Sequence, residues 1–392
     1  MRQFWGQGIE ADESHANRSS SVRNALITAI ARGEAGPPFD GTIGPWVRRE
    51  GDPGTDDETA QEHPAGYIAG DDLVCALNTA LLLGKPLLLT GNPGTGKSQL
   101  AERVAWEFNM GPVLRFESQS LSEAQDLYYR FDLVGRLAAV EAFKAEQAVA
   151  NDGERRRARA ELSVARFLGF GPLGKAILRA TPKQLERLVA LGLSPQGLQL
   201  PMEPRPSVVL IDEIDKTSRD FPNDLLNAIE RKEFNVRELA DGHVGVPDDE
   251  GLHPIVLITS NSERELPAPF LRRCIYFHIP DPSREMLAKI LRSRVTGSGE
   301  GDPTRLHPLY ADVLEMFSAF REGSAAKLAY QPGTSELLDL ARALARSERV
   351  DPLAGLSASG NHAELRRAAS TLIKHRDDRG ELDKLLKRWA PT

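Results

Sequence analysis

The 392-residue sequence predicts a three-layer α/β core built on a parallel sheet, carrying a helical insertion and followed by an all-helical region. Three observations carry this. Short, wholly apolar runs alternate with helical stretches between about residues 67 and 280. A glycine-rich loop joins the first apolar run to a helix. From about residue 281 onward the periodicity is helical, with no strand candidate.

The elements follow in chain order. Residues 1–62, rich in Gly, Pro, Ser, Asp and Glu, read as a flexible arm. Within it "SSSVRNALITAIARGE" predicts a short amphipathic helix. Val22, Leu26, Ile27 and Ile30 share a face, Ser20 or Ser21 can cap it, and Gly33 can end it. Such a helix can dock a partner or pack on its own domain. An α/β domain is expected over residues 63–280. "DDLVCALNTALLLGK" reads as an apolar helix capped by Asp71 or Asp72 and stopped by Gly84. "PLLLTG" has the unbroken apolar character of a buried parallel strand. The helix "SQLAERVAWEFN" comes next, and "VLRF", "SVVLID", "PIVLITS" and "IYFHI" supply four more strands. Residues 281–392 hold the helical stretches "PSREMLAKILRSRV", "PLYADVLEMFSAF", "TSELLDLARALARS" and the run from His362 to Trp389.

Composition narrows the class. Hydrophobic residues at 41% suffice for a packed core, and 27% charged residues are ordinary for a soluble chain. No apolar run is long enough for a membrane span, and the first residues lack a signal peptide's apolar core. Cys75 and Cys274 are too few for a disulfide framework, so a reducing cytoplasm is the expected home. A net charge of −7 gives no global attraction for nucleic acid.

The glycine-rich loop carries the chemistry. "GNPGTGKS" comprises Gly91, Asn92, Pro93, Gly94, Thr95, Gly96, Lys97 and Ser98, and matches G-x-x-x-x-G-K-[ST] between a predicted strand and a predicted helix. Backbone N–H groups of such a loop turn inward around phosphates, and the helix dipole adds to them. Lys97 is placed to reach the β- and γ-phosphates, Ser98 to bind Mg²⁺, and Gln99 to open the helix beside them. "SVVLIDEIDK" ends a second apolar strand in Asp212 and Glu213. Asp212 suits a metal-held site and Glu213 the general base for an attacking water; the alternative is an acidic pair that caps the next turn. Asn261 ends a third strand and can orient that water if this strand lies between the other two; otherwise it is a turn residue. Arg272 and Arg273 precede the last strand and read either as a finger reaching a neighbouring subunit's site or as surface ion-pair partners.

These residues resemble the AAA+ ATPase superfamily, and its MoxR-like branch in particular. The resemblance rests on "LLLTGNPGTGKSQLAERVA", "VVLIDEIDK", "FPNDLLNAIERKEFNVREL", "ITSNSERELPAPFLRRC", "AQDLYYRFD" and "FGPLGKAIL", and spans about residues 64–348. It implies an α/β nucleotide-binding domain with a helical lid, a ring oligomer that is often a hexamer, and ATP held at subunit interfaces. It further implies Asn261 as the polar sensor, Arg273 as the arginine finger acting in trans, and Arg272 as its second choice. ATP over GTP is likewise a family implication, with the Tyr67–Ile68 backbone as the base contact. Relatives of this branch act as chaperones that remodel or activate a protein partner, frequently one with a von Willebrand factor A domain. The sequence departs from the pattern at the lid. Ser335 stands near the usual second sensor arginine, with Arg342 two turns later.

Lys97 and Asp212 lie 115 positions apart, and the core needs only one strand and its helix between them. The excess reads as a helical insertion over about residues 120–205, with a helix starting at Ser120 or Ser122 and running through "AQDLYYRFDLVGRLAAVEAFKAEQ". Leu127, Phe131 and Val134 then share an apolar face, while Tyr128 and Tyr129 are either insertion core or partner contacts. Arg155, Arg156, Arg157 and Arg159 are interleaved with Glu146, Glu154 and Glu161, which reads as a solvated helix face rather than a nucleic-acid stripe. Three functions compete: an ATP-hydrolysing chaperone, an ATP-gated regulatory module of a defence or stress system with slight turnover, and a nucleic-acid motor, which the acidic charge disfavours.

Overall fold

The computed structural model describes residues 64–108, 110–146, 163–190, 204–239, 242–245, 252–296, 306–324, 328–356 and 358–390. The expected amino-terminal helix and the arginine-rich stretch of the insertion lie outside the described residues.

The five apolar runs form one sheet. Its strands are β1 (Leu87–Thr90), β2 (Leu114–Glu117), β5 (Val208–Asp212), β8 (Ile255–Ser260) and β9 (Ile275–His278). They pair in the order β2-β5-β8-β1-β9, every neighbour parallel. Alternate residues of a strand face opposite sides, and the two cores divide accordingly. Leu87, Leu89, Val208, Leu210 and Leu257 pack with Leu73 and Leu77 of α1 (Asp71–Leu83) and Leu100 and Val104 of α2 (Lys97–Glu107). Leu88, Val209, Ile211 and Ile258 face the other way, onto Leu173 and Ile177 of α4 (Pro172–Ala180) and Phe221 and Leu225 of α6 (Phe221–Arg231). This is the predicted three-layer α/β arrangement.

Helix α1 ends as expected, at Gly84 in a left-handed conformation whose N–H returns to Ala80 and Leu81. Its start differs. Gly70, not an aspartate, holds the N-cap position, and Asp71 and Asp72 sit in the first turn, where they complement the helix dipole.

The insertion departs most from expectation. No helix starts at Ser120 or Ser122; Ser122 Oγ instead accepts from the Gln119 N–H in a turn. A single 3₁₀ turn, Ala124–Leu127, leads into β3 (Tyr129–Phe131), which pairs antiparallel with β4 (Leu168–Phe170). Helix begins only at α3 (Leu133–Glu146). The proposed shared face is therefore wrong. Leu127 is fully buried, while Val134 is 78% exposed. A second unforeseen antiparallel pair, the hairpin of β6 (Glu233–Asn235) with β7 (His243–Gly245), follows α6. The β3–β4 pair and the hairpin meet at Phe234, whose ring stacks on Tyr128 at 5.1 Å and Tyr129 at 6.1 Å and meets Phe170 edge-on at 6.2 Å. Tyr128 and Tyr129 are thus insertion core, and both are buried. Helix α5 (Pro182–Ala190) completes this region, with Gln184 Oε1 accepting from the Gly245 N–H.

Past β9 the described residues are helical: α8 (Arg284–Leu291), extended by a π turn (Arg292–Thr296), then α9 (Pro308–Ser324), α10 (Thr334–Ala345), α11 (Ser359–Ala368) and α12 (Arg379–Trp389). Leu291, Val313, Phe317, Leu340, Leu365 and Leu386 build their own core. A short helix, α7 (Ala268–Leu271), precedes β9. Among the described residues no helix is long and apolar enough to cross a membrane.

Candidate nucleotide site

The site lies at the carboxyl edge of the sheet, where open α/β sheets bind ligands. The loop between β1 and α2 delivers Lys97 as the first residue of α2. Lys97 is 7% exposed, and its ammonium donates to the carbonyls of Gly91 (2.8 Å) and Asn92 (2.9 Å). Burial pulls its pKa down, and the carboxylates of Asp215, Asp212 and Glu213 partly offset this.

Strand β8 lies between β1 and β5, so the three strand ends converge. Ser98 Oγ donates to Asp212 Oδ1 at 2.8 Å, and Thr259 Oγ1 donates to the same oxygen at 2.5 Å. The Thr259 hydroxyl also accepts from the Glu213 N–H at 2.9 Å. Glu213 occupies a left-handed backbone conformation, φ 55°, which turns its side chain out of the strand path. Its Oε1 accepts from Asn261 Nδ2 at 3.1 Å, and its Oε2 pairs with the Lys216 ammonium. Asp215, 4% exposed, accepts from the backbone N–H groups of Asn261 (3.3 Å) and Glu263 (3.0 Å) and so fixes the loop that carries Asn261. Sequence alone does not single out Asp215, because the loop it holds lies 46 positions away.

A cavity of about 830 Å³ opens over these groups, within the size range of cofactor sites. Pro93 through Gln99, Asp212, Glu213, Thr259 and Asn261 form its floor, and Tyr67 and Ile68 one wall. Residues 86–274 match the family model described as the AAA domain (dynein-related subfamily).

That segment is an AAA domain.

It is by family an ATPase-type, nucleotide-binding core. No curated protein matches the chain significantly. One similar solved structure is named as a "putative ATPase" of Cytophaga hutchinsonii. It shares 12% identity over 84% of this chain and 93% of that one, at a TM-score of 0.33.

The opposite wall of the AAA domain's cavity comes from the carboxy-terminal helices. Thr334, Ser335, Leu338, Asp339 and Arg342 present one face of α10, and Met286, Ile290 and Arg294 come from α8 and its π turn. Ser335 Oγ presses on the phosphate loop. A Cβ built on Gly94, whose φ is +78°, would meet it at 2.3 Å. Arg294 is 5% exposed, packs over Gly66 and reaches Gln99 Oε1 at 3.5 Å. Nothing in its local sequence marks it, because its place is set by how α8 seats on the AAA domain. The Tyr67 wall is held from behind. Arg103 is fully buried, donates to Glu107 Oε2 at 2.9 Å and reaches the Tyr67 carbonyl at 3.3 Å.

Arg272 and Arg273 are not brought to the cavity. Both are exposed, and Arg273 pairs with Glu230 of α6 at 2.9 Å. Among the described residues there is no cluster of three or more His, Cys, Asp or Glu side chains of metal-binding type. The oxygen donors that converge are the Ser98 hydroxyl and the Asp212 carboxylate, which suit a hard cation shared with phosphates.

Proposed function

We propose that this chain is a MoxR-like AAA+ ATPase that binds ATP with Mg²⁺ and hydrolyses it to remodel or activate a partner protein. The convergence of Lys97, Ser98, Asp212, Glu213 and Asn261 on one cavity floor carries the reading. Lys97 and the loop N–H groups hold the phosphates. Ser98 and Asp212 hold Mg²⁺, which when bound neutralises phosphate charge. Glu213 takes the proton of the attacking water, and Asn261, bonded to Glu213, fixes that water's line of approach. Tyr67 and Ile68 contact the base. Residues 281–392 act as the lid over residues 63–280, with residues 1–62 as an arm. AAA domains usually assemble, and a ring, often a hexamer, brings Arg273, or Arg272 beside it, to the neighbouring site. The partner class expected from the resemblance is a protein with a von Willebrand factor A domain.

A second reading, an ATP-gated regulatory module with slight turnover, draws on one observation. Both oxygens of Glu213 are engaged, by Asn261 and Lys216.

Calorimetry and phosphate release test both. Lys97→Ala is expected to weaken Mg-ATP binding by about 10-fold or more, since charge-assisted hydrogen bonds are lost. Glu213→Gln is expected to bind within a few-fold of wild type and to turn over about 10²-fold or more slowly. Normal turnover by Glu213→Gln removes Glu213 as the base. A wild type that binds ATP tightly without releasing phosphate favours the regulatory reading.

A further inference from the structure

The strap between the AAA domain and the lid is short and stiff. It reads Ile279-Pro280-Asp281-Pro282-Ser283, and its two prolines restrict the backbone on both sides of Asp281. Its start is fixed to the phosphate loop. Ile279 N donates to the Thr90 carbonyl at 2.8 Å, and the Ile279 carbonyl lies so close to Gly91 that a Cβ there would stand 2.6 Å from it. Its end is fixed to the lid by Ser283, whose hydroxyl accepts from the Met286 N–H at 3.3 Å and caps α8.

Between those anchors the Asp281 carboxylate bridges two elements. Oδ1 accepts from Asn92 Nδ2 of the phosphate loop at 3.1 Å. Oδ2 accepts from Arg321 Nη2 of α9 at 2.9 Å. Arg321 is in turn seated in the lid, its guanidinium 5.8 Å from the centre of the Phe317 ring, which is fully buried in the helical core. Three residues from three elements, separated by 189 and 40 positions, thus form one chain from the phosphate loop to the lid core.

We propose that Asp281 is a positioning residue that couples phosphate-loop occupancy to the placement of the lid through Asn92 and Arg321. The proposal rests on the nucleotide reading above. Asn92 directly follows the first glycine of the loop, so a rearrangement of loop N–H groups around phosphates moves its amide. The stiff strap prevents Asp281 from absorbing that movement, and Arg321 carries it into α9. The pair is part-exposed, Arg321 at 20% and Asp281 at 40%, so the link is weak enough to be remade in each nucleotide state.

Hydrogen exchange on the full chain, with and without Mg-ATP, tests this by the protection of residues 308–324. In wild type, Mg-ATP should slow exchange along α9. In Asp281→Ala and Arg321→Gln that slowing should be lost, while Mg-ATP affinity falls by no more than about 5-fold, the scale of an exposed ion pair. Asp281→Asn, which keeps an acceptor for Asn92 and disturbs the fold least, should lose it too, and Arg321→Lys should retain most of it. Slowing of α9 that persists in Asp281→Ala, or is missing in a wild type that binds Mg-ATP, overturns the proposal and leaves the nucleotide reading intact. A wild type that binds no Mg-ATP overturns both.

Discussion

Arg103 is among the largest side chains that the fold removes wholly from water, and its partners show what the site leans on. Its guanidinium bonds Glu107 and the Tyr67 carbonyl and lies 5.1 Å from the centre of the Trp106 ring. Burial lowers its pKa against the pull of Glu107. Replacing Arg103 with Met strands a buried carboxylate, a loss of about 3–5 kcal/mol. Urea denaturation should register that loss, and the double replacement Arg103→Met with Glu107→Leu should recover most of it. Recovery restores the fold without restoring the hold on Tyr67, so nucleotide affinity should stay below wild type. At this scale the sequence was legible wherever chemistry is local. The loop residues, Asp212, Glu213 and Asn261 could be named because each sits at the end of an apolar run. Asp215 and Arg294 could not, since their roles depend on neighbours 46 and 195 positions away.

Among elements, the five sheet strands and the flanking helices were legible because buried parallel strands read as unbroken apolar runs. The insertion was not. Strands β3 and β4 have three residues each, too few to show an alternation, and their pairing spans a long stretch of chain. Sequence alone leaves Tyr128 and Tyr129 open between insertion core and partner contact, because the surface they pack on, Phe234, comes from a hairpin far along the chain. Helix α4 lies hard against this region. A Cβ on Gly174 would stand 2.1 Å from the Tyr128 carbonyl oxygen. Gly174→Ala should therefore push α4 off the end of the 3₁₀ turn at Tyr128 and lower stability by about 1–3 kcal/mol, as overpacking does. Unfolding in urea measures the loss, and an unchanged midpoint would show that the helix yields freely.

For the whole molecule, Arg272 and Arg273 lie outside the cavity of their own chain, and the role proposed for either is in trans. Mixing Arg273→Ala chains with Lys97→Ala chains should restore part of the ATPase activity, since some interfaces then join an intact loop to an intact arginine. Mixed assemblies that form, verified by mass, and stay inactive at every ratio would remove Arg273 from catalysis. The layered architecture was legible from the order of apolar and helical runs. The seating of the helical region on the phosphate loop was not, because contacts between two separate cores leave no periodic trace in either. That seating bears on how the sequence can change over generations. Gly94 and Ser335 occupy one shared space, so neither can enlarge alone while the helices stay in place. A side chain the length of arginine at 335 needs a lid that stands further off or turns its residue aside. The serine at 335 and the close approach of the helical region therefore go together, and a chain with arginine there would have to give up the contact with Gly94.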